Sequence, residues 1–394
     1  MTAPEEPPLT GPRLDYGPAN DADGTRVVRA GLPAEEPYEP PLPGPVFAAH
    51  YHLPGEVEGA PYAYGRDANP TWSRLEQALA ELEAPGDPDA EVITFSSGMG
   101  AISAVLFSLA RPGQTVVLPS DGYNQLAEMR ERLEGLGVQV RTARTGGDAQ
   151  LAEVDEDVSL LWLETPCNPG LDVCDIRKLA DAAHERGALV AVDNTLATPL
   201  GQRPLLLGAD ISVASGTKAL TGHGDVLLGY VATRNQQVAA AVRAWRKTVG
   251  AIPGPMEAWL AHRSLATLDV RTQRQAGNAL AVAEALTARP EVRDVRHPGL
   301  SDDPSHPLAA RQMSRYGCVV SFTLADEAHA NRFLSQLRLV DNATSFGGVR
   351  STAERRGRWG GDQVPDGFIR LSVGVEDSAD LVTDIRRALD EAAG

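Results

Sequence analysis

Lysine is nearly missing from this chain. Only Lys178, Lys218 and Lys247 occur, and the other long cationic side chains are arginine, which stays protonated and cannot form an imine. Chemistry by a neutral side-chain amine therefore has three candidates. Cysteine is equally scarce. Cys167, Cys174 and Cys318 are odd in number and form no CxxC pair, which argues against a disulfide framework or a zinc ribbon, and no metal site is expected. Positive charge as a whole is in deficit. The formal net charge is −17 and the pI about 4.9, so the average field repels a nucleic-acid backbone. Apolar runs long enough to cross a bilayer are lacking. Met1–Pro8 is acidic and proline-rich with neither a basic nor an apolar leader segment, so a reducing cytoplasm is the expected location and a membrane partner is not.

What remains is an ordinary globular balance, 42 % apolar and 23 % charged over 394 residues. That length predicts a large domain with a smaller one beside it. Residues 1–24, rich in Pro, Asp, Glu and Gly, read as a poorly ordered tail. With the Pro/Gly-rich stretch Pro33–Pro45, residues 25–70 read as an extended arm with little core of its own. No internal repeat is found.

From Trp72 onward, strand-like and helix-like patterns alternate. Short β-rich apolar runs occur at 92–95, 115–118, 160–163, 189–192 and 211–214. Asp175 reads as the cap of a helix whose apolar positions Ile176, Leu179, Ala180 and Ala183 fall on one face, with Gly187 as its stop. This order predicts an α/β fold with a mostly parallel central sheet covered on both faces. The Pro/Gly break at 250–255 divides a large domain over 71–255 from a smaller α/β domain over 256–394, with strands at 318–324 and 369–373 and helices at about 326–338 and after Asp377.

Ligands of open parallel sheets bind beyond the carboxyl ends of the strands, so the residues just past each strand matter most. Gly98-Met99-Gly100 offers free backbone N–H groups at a helix start, where an anion binds. As a GxGxxG fingerprint it is incomplete, since Ser103 holds the third glycine position, but Asp121 lies about twenty residues on, as a nucleotide site requires. A plain strand-to-helix turn fits equally well. Lys218 follows an apolar strand and Ser215-Gly216-Thr217. Most lysines are solvated surface groups, but these hydroxyls and glycines suit a phosphate held beside an amine, and a desolvated lysine becomes a Schiff-base nucleophile. Lys178 lies on the polar side of a helix and Lys247 in an arginine-rich run. Asp193 ends the strand Leu-Val-Ala-Val. It reads either as a turn or cap residue or as the partner of a cationic ring nitrogen. Tyr123 reads as a core aromatic or a ring-stacking platform. Arg370 interrupts an apolar strand, so it meets a carboxylate if buried and water if it lies on an edge. His223 reads as a turn or wall residue without chemistry.

In these stretches the chain resembles the Cys/Met-metabolism PLP-dependent enzymes. The matching pieces are Tyr64-Gly-Arg66-Asp-Ala-Asn69-Pro70-Thr71, Ser97-Gly98-Met99, Asp121-Gly-Tyr123, Glu164-Thr-Pro-Cys-Asn168-Pro169, Val192-Asp193-Asn194-Thr195, Ser215-Gly-Thr217-Lys218, Gly222-His-Gly-Asp225, Gly254-Pro-Met-Glu-Ala-Trp259, Ser345-Phe-Gly-Gly and Ile369-Arg370-Leu-Ser-Val-Gly. They run in order from about residue 25 to the end. The resemblance implies the aspartate aminotransferase-like fold of type I PLP enzymes and pyridoxal phosphate as cofactor. It implies that Lys218 carries the cofactor and moves protons, that Asp193 pairs with the pyridine nitrogen, and that Asn168 bonds the ring oxygen. Tyr123 is implied to stack on the ring and assist departure of the γ-substituent. Gly98, Met99, Ser215 and Thr217 would hold the phosphate, and Tyr64 and Arg66 would reach the phosphate of a neighbouring subunit in a homo-oligomer, usually a tetramer built as a dimer of dimers. Ser345 and Arg370 would bind the substrate carboxylate.

The activity implied is that of a carbon–sulfur lyase of transsulfuration, releasing cysteine, 2-oxobutanoate and ammonia from cystathionine. γ-Replacement on an acylated homoserine and methionine γ-cleavage are the alternatives within the family. Outside it stand a dinucleotide-dependent oxidoreductase built on Gly98-Met99-Gly100, which leaves Lys218 and Asp193 without a role, and a catalytically silent binding protein. Two departures bear on substrate. Asn124-Gln125 follows Tyr123 without the usual Gly-Gly-Thr or the cysteine of methionine γ-lyases, which argues against methionine. Arg350 stands where the resemblance leads one to expect glutamate; with Arg355 near the pocket mouth, it favours an anionic distal group, and the nearest downstream acid is Glu354.

Overall fold

The computed structural model describes residues 21–393. The expected tail therefore falls mostly outside the described residues, and of its last four positions Asp23 and Gly24 are helical. Asp23–Arg29 forms a short helix. Asp23 bonds Arg26 and the buried Arg203, each at 2.6 Å, while Val27 and Ala30 pack into the main core. The arm thus begins with an anchored turn of helix, and most of its length from Gly31 to Asn69 is irregular.

The large sheet has seven strands. In chain order they are β1 (Glu91–Phe95), β2 (Thr115–Pro119), β3 (Gln139–Ala143), β4 (Val158–Glu164), β5 (Leu189–Asp193), β6 (Ile211–Ala214) and β7 (Gly229–Thr233). Their spatial order is β1-β7-β6-β5-β4-β2-β3. Only β7 runs antiparallel to its neighbours, and the remaining pairings are parallel. Central strands such as β4, Val-Ser-Leu-Leu-Trp-Leu-Glu, are buried along nearly their whole length, as a sheet covered on both faces requires. On one face Phe95, Leu118 and Trp162 pack with apolar residues of helices Gly98–Leu109 and Gln236–Val249. On the other, Val117, Leu161 and Leu163 pack against helix Ile176–Glu185. That helix starts as expected, with the Asp175 side chain accepting from Lys178 N and satisfying one of the donors that a helix start leaves unpaired.

The second sheet, ordered β10-β11-β12-β9-β8, comprises β8 (Arg293–Arg296), β9 (Val319–Thr323), β10 (Asp341–Asn342), β11 (Thr352–Arg355) and β12 (Phe368–Ser372). It is antiparallel apart from the short β10–β11 pair. Apolar residues of helices Leu268–Thr287, Glu327–Gln336 and Ser378–Ala393 join its core.

The boundary at 255 needs correction. Helix Pro255–Leu265 belongs to the large domain, because Ala258, Ala261 and Leu265 pack with Trp72 and Tyr230. Helix Leu268–Thr287 serves both domains. Leu268 joins the large-domain core, whereas Ala279, Val282 and Leu286 lie in the small one. The Pro/Gly break supplies the start of a helix, with Pro255 in its first turn, and no domain boundary.

Candidate active site

Because β4, β5 and β6 are parallel neighbours, their carboxyl ends open on one edge of the sheet. Glu164 and Asp193 end β4 and β5 and are directly paired in register, and Ser215 follows β6. β1 and β2 add Ser97-Gly98-Met99 and Tyr123 from the loops beyond them. A cavity of about 270 Å³ lies there, bounded from the small domain by Ser345, Phe346, Arg356 and Arg370.

Lys218 enters this cavity from the loop after β6, and its Nζ donates to Ser345 Oγ at 2.8 Å. Burial pushes its pKa down to about 8, and the neighbouring Arg370 charge adds to the effect. The amine is therefore far easier to deprotonate than an exposed lysine. Ser345 holds φ at +81°, a left-handed conformation that costs a non-glycine residue about 1–3 kcal/mol. Two residues on, a Cβ at Gly347 would lie 2.4 Å from Ala219 N. Only glycine lets this small-domain loop lie against the lysine loop.

Asp193 is buried, and its Oδ1 accepts from Thr195 N at 3.0 Å. Thr195 Oγ1 in turn accepts from Ser215 N at 2.8 Å, tying the Asp193 and Lys218 loops together. Burial raises the Asp193 carboxyl. Burial also raises Glu164, to about 8, with the Asp193 charge acting in the same direction. Glu164 organises the adjoining loops by accepting from Tyr123 N and Asn168 N, each at 2.7 Å. The Tyr123 hydroxyl is pushed up by burial and by Asp193, so it stays protonated near neutral pH.

Arg370 is buried on β12 and not on an open edge. It donates to Asn168 Oδ1 at 2.7 Å, to Ser345 O at 3.3 Å and to Glu354 Oε1 at 2.5 Å. Burial lowers its pKa to about 10, which still leaves it charged at neutral pH. Glu354 also accepts from Arg356 at 2.8 Å and from Trp359 Nε1 at 2.8 Å. Burial would raise this carboxyl, but the Trp359 N–H, Arg370 and Arg356 outweigh it and hold the pKa below its ordinary value. Glu354 is thus committed to neighbouring guanidinium groups and does not face a ligand.

The cavity gathers Gly98, Met99, Tyr123, Asn168, Asp193, Ser215, Thr217, Lys218, Ser345 and Arg370. Tyr64 and Arg66 are not among its lining. Both are exposed, with the Arg66 guanidinium 5.4 Å from the Tyr64 ring centre. Arg350 is a correction: it is exposed and does not line the cavity. Arg355 likewise turns away, pairing with Glu327 at 2.7 Å. The additional cation in the wall is Arg356, one position further on. Glu164, Thr195 and Phe346 also line the cavity, and the sequence does not single them out. Glu164 carried the same signal as Asp193, a carboxylate at a buried strand end.

The residues present fit a phosphorylated aromatic aldehyde. Gly98 and Met99 open helix Gly98–Leu109 with N–H groups that have no intrahelical acceptor and lie at the cavity, while the Gly100 N–H donates to Ser97 Oγ at 3.1 Å. A Cβ at Gly98 would fill this cradle, meeting Ser215 Cβ at 2.7 Å. Asp193 can face a ring nitrogen, and Lys218 offers the amine. A dinucleotide fits poorly. Ser103 lies inside the helix and donates to Gly100 O at 3.1 Å, while Asp121 is engaged by the backbone N and hydroxyl of Thr145.

Comparison with known proteins agrees. Residues 46–390 match the family described as Cys/Met metabolism PLP-dependent enzyme, and the chain belongs to that family. Its fold is accordingly the aspartate aminotransferase-like α/β fold, and its cofactor is pyridoxal phosphate. A Streptomyces coelicolor protein named "Putative cystathionine gamma-lyase" is 70 % identical over 94 % of this chain and 94 % of its own length. A Mycobacterium tuberculosis cystathionine gamma-synthase is 38 % identical over 96 % of this chain and 98 % of its own. Among solved structures, an apo methionine gamma lyase from Micromonospora echinospora superposes with a TM-score of 0.88 at 40 % identity, covering 94 % of this chain and 99 % of that one. Among the described residues no helix is long and apolar enough to cross a membrane.

Proposed function

We propose that the protein cleaves the Cγ–S bond of L-cystathionine, consuming water and releasing cysteine, 2-oxobutanoate and ammonia. The observation that carries this reading is the 2.8 Å contact between Lys218 Nζ and Ser345 Oγ in the cavity that Arg370 and Asp193 also line. It sets a readily deprotonated amine in one cavity with a guanidinium suited to a carboxylate and a buried acid. The 70 % identity to the Streptomyces protein supports the choice of substrate.

Pyridoxal phosphate, when bound, supplies an electron sink for charge developing at the substrate's Cα and Cβ. Lys218 would hold it through Nζ and, as a free amine, would take the Cα proton. Arg370 holds the α-carboxylate, aided by Ser345, and so orients the Cα–H bond. Asp193 keeps a negative charge beside the ring nitrogen. Tyr123 covers the ring and, with its hydroxyl protonated, donates to the departing sulfur. Tyr64 and Arg66, exposed and outside the lining of their own cavity, would complete the phosphate site of a partner subunit in an oligomer.

The test is a product assay on cystathionine. Release of 2-oxobutanoate with cysteine is expected; pyruvate with homocysteine would assign the bond breakage to Cβ and reject the proposal. A second reading, γ-replacement on O-succinylhomoserine, is favoured by the cationic Arg356 in the wall. It predicts cystathionine formation from that ester and cysteine, faster than any oxo-acid release.

A further inference from the structure

Arg356 is buried, yet the active-site cavity reaches it. Its Nε and one Nη2 hydrogen are directed to Asp362 Oδ2, both at 2.6 Å, and one Nη1 hydrogen goes to Glu354 Oε1 at 2.8 Å. A guanidinium carries two hydrogens on each terminal nitrogen, so one on Nη1 and one on Nη2 lack a partner among the described residues. A buried donor left unmade is costly. Here the group that can meet those hydrogens is whatever fills the cavity.

Charge and position narrow that ligand. Arg370 and Arg356 share the same oxygen of Glu354, so the two guanidinium groups stand side by side in one wall. Arg370 receives the α-carboxylate. With Arg370 committed to the α-carboxylate, Arg356 is the guanidinium left in that wall for a second anion. A planar fork with free donors matches a carboxylate.

We infer that Arg356 is a specificity residue that binds a second carboxylate at the distal end of the substrate, so that the site selects γ-substituted amino acids bearing a carboxylate on the leaving group. The inference rests on the reading of the cavity as a C–S lyase site and adds the feature that ranks its substrates. Asp362 and Glu354 are positioning residues. They hold the guanidinium in place and leave its outer hydrogens free.

The test uses two unreactive ligands on the cofactor-loaded enzyme, with dissociation constants read by calorimetry. L-2-aminosuberate has the span of cystathionine and ends in a carboxylate. L-2-aminooctanoate has the same span and ends in a methyl group. The wild type should prefer aminosuberate, and Arg356→Gln should cut that preference roughly tenfold or more, the scale of a charge-assisted hydrogen bond, with aminooctanoate binding within about twofold of wild type. Equal weakening of both ligands makes Arg356 merely structural, and an unchanged ratio removes it from recognition; either overturns the inference. If Arg356→Gln does not fold, Asp362→Asn decides. Loosening the guanidinium should lower the preference for aminosuberate while aminooctanoate binds as in the wild type, and an unchanged ratio would refute it. Neither ligand turns over, so a wild type that prefers aminosuberate but releases no 2-oxobutanoate from cystathionine loses the proposed reaction and keeps this inference.

Discussion

Glu164 and Asp193 are directly paired in register at the carboxyl ends of adjacent parallel strands, so two buried carboxyl groups share the floor of the cavity. Their roles differ by partner. Glu164 is held by the N–H groups of Tyr123 and Asn168, whereas Asp193 accepts from Thr195 N and lines the cavity. Burial and then the Asp193 charge push the Glu164 carboxyl up, but each of its oxygens accepts a backbone N–H; Glu164→Gln sets an amide donor against one of them and should lower activity by about tenfold. Asp193→Asn should lower kcat by about 10²–10³, the scale of losing one preorganised electrostatic partner. Steady-state rates on one substrate check both.

The same Glu164 shift fixes a pH dependence of the cofactor-free protein. A carboxyl whose folded pKa is raised stabilises the fold fully below its unfolded value, and that contribution is lost as pH rises through the folded value. Stability from this group should therefore fall between pH 4.5 and about 8. Urea midpoints across that range should drop in the wild type and flatten in Glu164→Gln.

Lys218 offers a kinetic readout. Its pKa lies at about 8 because of burial and then Arg370, and only the neutral amine attacks an aldehyde. The rate at which the cofactor-free protein captures pyridoxal phosphate, followed by visible absorbance, should rise through pH 8 and level off above it. Lys218→Ala should show no such band at any pH. A capture rate still climbing beyond pH 10 would refute the lowered pKa.

Gly98 tests the phosphate cradle. A methyl group there meets Ser215 at 2.7 Å, so Gly98→Ala should weaken cofactor retention by roughly tenfold or more through loss of backbone donors to the anion. Gly135, where an added Cβ meets nothing within 4 Å, is the matched control, and Gly135→Ala should retain cofactor as the wild type does. Dialysis and then measurement of the bound cofactor separates the two.

Glu354→Ala should be the most damaging single change in the small domain. It leaves Arg370 and Arg356 buried beside each other without their shared counter-charge, a loss of about 3–5 kcal/mol. Urea unfolding measures it, and the KM of any substrate held by Arg370 should rise in parallel.

Much of this arrangement is legible in the sequence because it depends on local pattern. The central strands announce themselves as short apolar runs, and a parallel sheet puts their carboxyl ends on one edge, which is why Lys218, Asp193 and Tyr123 can be named together. β3 and β7 are not legible in the same way. Gln139–Ala143 is a largely polar edge strand, and Gly229–Thr233 starts with a glycine and is too short to show a period. The distal wall is misplaced from sequence, at Arg350 and Arg355. Arg355 ends β11 whereas Arg356 opens the 3-10 turn that follows, and composition alone does not say which arginine of a dense run faces inward. That choice is made by Glu354 and Asp362, two and six residues away, which hold Arg356 through a tight turn that local periodicity does not announce.

Helix Leu268–Thr287 has a mechanical consequence. Its first turn is cemented into one core and its last turns into the other, so the lobes that clasp the substrate hang on a common rod. A fragment ending at residue 255 would bare the apolar side of helix Pro70–Glu83 where Ala258, Ala261 and Leu265 now rest, and should aggregate when expressed alone. Heat should likewise melt the chain in one cooperative step, since neither lobe can let go of that rod without the other.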